Sequence, residues 1–110
     1  MSTYIVQGRW TLDAIRGMLA HPEDRAEALK KAYDAAGAKL ISYYVTFGEY
    51  DFIIVAESSD EKAVLSGLIV GAAGGAVTNL KTTLAFTSAE AKQAFEAAKG
   101  LVSAYKPPGA

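Results

Sequence analysis

The chain contains no cysteine, which excludes disulfide bridges, thiolate nucleophiles and thiolate metal sites. Its single histidine, His21, excludes a multi-histidine metal centre within one chain. An excess of either charge is also missing, since 11 Lys and Arg against 12 Asp and Glu leave a net charge of −1. Only Lys30 and Lys31 are adjacent, so there is no basic stripe to follow a phosphate backbone, and nucleic acid is not an expected partner. Long apolar runs are broken too. Ala63 to Leu80 is uncharged, but four glycines with Ser66, Thr78 and Asn79 interrupt it, and no membrane partner is expected. The opening MSTYIVQGRW has neither the basic region nor the apolar core of a signal peptide, so a cytoplasmic location is the expectation. No metal and no cofactor are expected.

What remains is a chain of 110 residues, half apolar and one fifth charged, the profile of a folded domain. One domain over residues 1–106 and a flexible tail over 107–110, carrying Pro107 and Pro108, is the expected division. Thr3 to Arg9 alternates as a first strand. Thr11 is suited to cap a short helix over residues 12–20, which His21-Pro22 interrupts. A second helix is expected from Pro22 to Ala36, with Gly37 as its stop. Lys39 to Phe47 and Asp51 to Glu57 read as strands, and Asp60 opens a helix reaching about Gly71. A fourth strand spans Val77 to Phe86. Thr87-Ser-Ala-Glu90 has capping-box spacing and launches a last helix towards Tyr105.

The order β-α-α-β-β-α-β-α reduces to β-α-β-β-α-β once the split first helix and the extra C-terminal helix are set aside. That is an α+β, ferredoxin-like arrangement. One antiparallel sheet then carries helices on a single face, and its other face is either solvated or covered by a partner.

Between the middle strands stands Phe47-Gly-Glu-Tyr-Asp-Phe52. Gly48 can take positive φ, Asp51 can bond nearby backbone N–H groups, and Gly48, Tyr50 and Asp51 read as a structural turn. A catalytic carboxylate would need a second positioned group, which spacing does not supply. Together with Tyr4-Ile-Val6, Thr11 and Pro22-Glu-x-Arg25, this stretch resembles the GYD domain family over about Thr3 to Phe86. The resemblance implies a ferredoxin-like chain paired as a dimeric α/β barrel, and it supplies no mechanism. Val45 to Phe52, with Gly75-Ala-Val77 and Lys81 to Phe86, is also similar to the effector-binding domain of leucine-responsive regulators. Those domains pair their sheets and bind small amino acids near subunit contacts. No helix-turn-helix pattern accompanies that similarity here, so it implies ligand sensing only by analogy.

The period-2 rule places Tyr4, Val6, Ile41, Tyr43, Val45, Phe47, Leu80, Leu84 and Phe86 towards the helices. Ile5, Gln7, Arg9, Leu40, Ser42, Tyr44, Thr46, Asn79, Lys81 and Thr83 fall on the opposite, helix-free side. Of these, Gln7, Arg9, Tyr44, Thr46, Asn79 and Lys81 are the candidate ligand-binding residues, lining a polar and partly cationic cavity between paired sheets. A small anionic ligand would match it. Self-association is expected from the uncharged stretch Ala63 to Ala73 of the helix after Asp60, covered by the terminal helix, by another subunit, or by both. Three functional readings stay open. The first is a homo-oligomeric small-molecule-binding domain. The second is a cofactor-independent enzyme using Tyr44, His21, Arg9 or Lys81, and the third an assembly module without a ligand.

Overall fold

The computed structural model describes all of residues 1–110. Its elements are β1 (Ser2–Trp10), α1 (Leu12–Ala20), α2 (Arg25–Ala35), β2 (Lys39–Val45), β3 (Phe52–Ser58), α3 (Glu61–Ala73), β4 (Val77–Ala85) and α4 (Ser88–Lys99), followed by a 3₁₀ turn, Val102–Ala104. The strands form one four-stranded sheet in the order β2-β3-β1-β4, and every neighbouring pair is antiparallel. This is the ferredoxin-like α+β arrangement.

Local chemistry sets the helix boundaries. Thr11 Oγ1 accepts from Ala14 N–H at 3.2 Å and starts α1, while the His21 N–H closes it on the Gly17 carbonyl. The second helix begins three residues later than Pro22 suggests, because Asp24 Oδ1 accepts from Ala26 N–H at 2.9 Å and takes the N-cap. Pro22 and Glu23 stay outside, and His21 is the C-cap of the first helix. Gly37 has φ +76°, the left-handed conformation that ends a helix without a Cβ clash. Asp60 caps α3 by accepting from Lys62 and Ala63 N–H.

The core lies between the sheet and its helices. Val6, Phe52, Ile54 and Ala56 form its centre, with Trp10, Tyr33, Leu40, Tyr43, Leu68, Val77 and Leu80 packed around them. Two register shifts adjust the strands to it. Between β1 and β4 the pairing slips between Gln7 and Arg9, beside Asn79, which holds φ +54°. Between β2 and β3 it slips between Leu40 and Ser42. The second shift corrects the expected rows: Leu40 packs on the core, and Ile41 is exposed. Phe47 lies beyond the end of its strand and is fully exposed rather than packed under the helices.

The last helix is a further correction. No substantial packing links α4 to α3 or to any other element of its own chain, so it does not cover α3. Its start is nonetheless fixed by a complete capping box. Glu90 N–H donates to Thr87 Oγ1 at 3.1 Å, and Thr87 N–H donates to Glu90 Oε1 at 2.8 Å. The backbone bond from Thr87 and then its side-chain bond hold the Glu90 carboxyl below its usual value of 4.5. A depressed carboxyl stabilises the capped form above its unfolded pKa and loses that contribution as pH falls through its folded pKa. Amide protection in the first turn of α4 is therefore expected to fall on acidification below about 4.5. Glu90→Gln should flatten that dependence in exchange measured by NMR.

Candidate functional site

The helix-free face is organised in cross-strand rows. Tyr44, Ile53, Gln7 and Lys81 lie side by side across all four strands, and Ser42, Val55, Ile5 and Thr83 make the next row. Beyond them Lys39 faces Glu57, an opposite-charge pair across β2 and β3. Both central strands thus present apolar side chains, Ile5, Ile53 and Val55, in the middle of a face that no helix covers. Polar residues take the flanks. Ile53 and Val55 are missing from the sequence-based rows. The signal for them is the unbroken run Phe52 to Ala56, since strands covered on both faces read as continuous apolar runs.

The hairpin is tied to this sheet at its end. Trp10 N–H donates to Asp51 Oδ2 at 2.9 Å, and Asp51 N–H donates to the Gly8 carbonyl at 2.8 Å. The Asp51 carbonyl accepts from Thr46 N–H at 2.9 Å, and Thr46 Oγ1 donates to the Tyr50 carbonyl at 2.7 Å. Asp51 therefore fastens the β2–β3 connection to β1, using both its backbone and its side chain. Gly48 has φ +149°, a region that side-chain-bearing residues avoid. Gly8 contributes at the same point. A Cβ there would stand 2.6 Å from Phe52 Cζ and 2.9 Å from Leu80 Cδ2, so the ring of Phe52 lies directly over bare backbone. Neither Gly8 nor the Trp10 backbone carries a sequence signal of its own, because each acts through residues on distant strands or their connections.

Beside the hairpin is a hollow of about 360 Å³ lined by Gln7, Thr46, Phe47, Gly48, Glu49, Tyr50, Ile53 and Lys81. Three of the six expected ligand residues, Gln7, Thr46 and Lys81, meet there. Tyr44 stands in the same row without lining it. Arg9 turns to Asp51, its Nε 4.0 Å from Oδ2, and Asn79 sits in the bulge, where its Oδ1 accepts from Thr78 Oγ1 at 3.1 Å. The hollow carries one cation, Lys81, and one carboxylate, Glu49, so within a single chain it is polar rather than cationic. No group of His, Cys, Asp or Glu is arranged to hold a metal ion. No helix is long and apolar enough to cross a membrane.

The Gly48-Glu49-Tyr50-Asp51 latch falls inside a match to the GYD domain that extends over residues 4–95. The chain belongs to the GYD domain family. In this chain the Gly-Glu-Tyr-Asp stretch closes the β2–β3 hairpin onto β1. One relative is a protein of Thermus thermophilus described as a "glutamine synthetase and cystathionine beta-lyase binding protein". It is 28% identical over 80 residues, covering 73% of this chain and 84% of the relative. The crystal structure of TTHA0845, also from Thermus thermophilus, superposes with a TM-score of 0.51 at 22% identity. That match covers 79% of this chain and 95% of the other, and it supports the shared fold.

Proposed function

We propose that this GYD-domain protein is a homo-oligomeric binding module in which two copies join through the helix-free faces of their sheets. The observation that carries the reading is the apolar centre of that face. Ile5, Ile53 and Val55 sit in adjacent rows, flanked by Tyr44, Gln7, Lys81 and Thr83. Apolar residues enclosed by polar ones are the usual build of an interface core and its rim. A two-fold pairing would set the rows of one protomer against those of the other and form a dimeric α/β barrel. The relative described as binding two enzymes supports extending the role to other protein partners. Binding rather than catalysis fits Asp51 as well, because its carboxylate is occupied by Trp10 N–H and stands beside Arg9.

A small-molecule site at the seam is a second reading, favoured by the hollow where Gln7, Thr46 and Lys81 meet. Facing sheets would remove Lys81 from water and give a small carboxylate a partner there. Val55→Glu tests the seam directly. A charge at the centre of the face is expected to lower the sedimenting mass below that of the natural protein while circular dichroism stays unchanged. An unchanged oligomeric mass in the folded variant would refute the seam. For the second reading, small carboxylates are expected to raise the melting temperature of the natural protein and not of Lys81→Ala.

A further inference from the structure

The helices do not close tightly on the sheet. Between them runs a cleft of about 910 Å³, with Trp10, Tyr33, Tyr43, Leu68 and Leu80 among its walls. Its titratable acid and base, Glu23 and Arg25, are engaged with each other at 2.8 Å. Burial raises the pKa of the Tyr33 hydroxyl above its usual 10.0, as expected of an apolar wall. An apolar cavity of about 150 Å³ holds one benzene-sized group, so this cleft has room for about six.

The same chain carries groups of that kind with nowhere to go. Phe95, Leu101, Val102 and Tyr105 are 77%, 66%, 71% and 69% exposed. With Ala91 and Ala98 they recur at steps of three and four residues along α4 and the turn after it. The arm stands clear of the body. The longest dimension is 61 Å and the radius of gyration 18.1 Å, whereas a compact chain of about 100 residues has a radius near 13 Å. Its connection to β4 is only Phe86-Thr87, and the capping box on Thr87 and Glu90 fixes the direction in which it leaves.

We infer that the C-terminal arm of one copy, Ser88 to Tyr105, docks in the helix-side cleft of a second copy. The occupant is argued from stoichiometry and size. Every chain has one such cleft and projects one apolar arm, and the four large side chains would occupy over half of the cleft. Reciprocal exchange would bury the Phe95 and Tyr105 rings of both arms, at about 150–250 Å² each. The cleft is on the opposite side of the sheet from the proposed seam, so the two contacts are independent. Arm exchange would link sheet-paired dimers into a larger assembly.

The test replaces Phe95 with p-benzoylphenylalanine in the full-length protein and mixes light and ¹⁵N-labelled chains before irradiation. The expected result is a cross-link from position 95 of one isotope to peptides containing Met18, Tyr33 or Leu68 of the other. Cross-links confined to one chain, to another arm or to the sheet face would overturn the inference, as would none at all. Trp10, the only tryptophan, lines the cleft and supplies a second readout. Its emission should shift to the red in Phe95→Glu, an exposed position where folding is not at risk. Emission identical to that of the natural protein would mean that the arm does not cover the cleft, or that an apolar ligand fills it instead, and either overturns the inference.

Discussion

Phe52→Ala is expected to destabilise the protein by about 3–5 kcal/mol, a large share of the about 5–15 kcal/mol available to a small domain. Phe52 is 4% exposed, pairs with Gly8 across β1 and β3, and packs its ring 6.2 Å from that of Trp10. Removing the ring takes one of the two buried aromatic side chains out of a small core and strips Trp10 and Leu80 of their contact with it. The converse substitution reports the same contact. Gly8→Ala puts a methyl group 2.6 Å from Phe52 Cζ and should cost about 1–3 kcal/mol through overpacking. In the Phe52→Ala background most of that cost should vanish. Chemical denaturation of the two single variants and the double variant measures the coupling, and additive effects would show that the contact does not govern packing here.

Asp51→Ala should be the second most damaging change, at about 2 kcal/mol. It removes the acceptor for Trp10 N–H and leaves a part-buried backbone donor without its partner. The exposed Arg9 adds little, since its Nε is 4.0 Å away in a solvated setting. Asp51→Asn keeps an oxygen able to accept from Trp10 and should recover most of the loss. Equal damage from Asp51→Ala and Asp51→Asn in thermal denaturation would transfer the importance of Asp51 from its hydrogen bond to its charge.

These two residues also mark what can be read from the sequence. The motif at residues 47–52 announces a turn, because Gly48 and Asp51 carry conformational preferences of their own. Gly37, Asp60 and the Thr87–Glu90 capping box are legible for the same reason: each acts on its immediate neighbours. Less legible is whatever depends on distant pairing. The bulges near Ile41 and Asn79 arise where strands must fit a core built by other elements, so the period-2 rule misassigns Leu40. Pro22 resembles a helix start, but Asp24 offers the side-chain acceptor that decides the boundary. Of the candidate site, Gln7, Thr46 and Lys81 follow from alternation and meet at one hollow. Arg9 does not join them, since its attachment to Asp51 spans two strands.

The apolar side chains on β3 give the bare face its meaning. Ile53 and Val55, flanked by Ile5 on the neighbouring strand, make an apolar centre on that side of the kind a partner sheet would cover. Engineering a single thiol in a chain without cysteine tests whether that face is covered. Val55→Cys changes little in volume and places the thiol at the centre of the face. Sheet pairing predicts that a maleimide labels it many times more slowly than a thiol at exposed Lys92, with the difference lost in denaturant. Equal labelling rates in the folded protein would mean that the face is open to water, and the binding seam proposed for it would not exist.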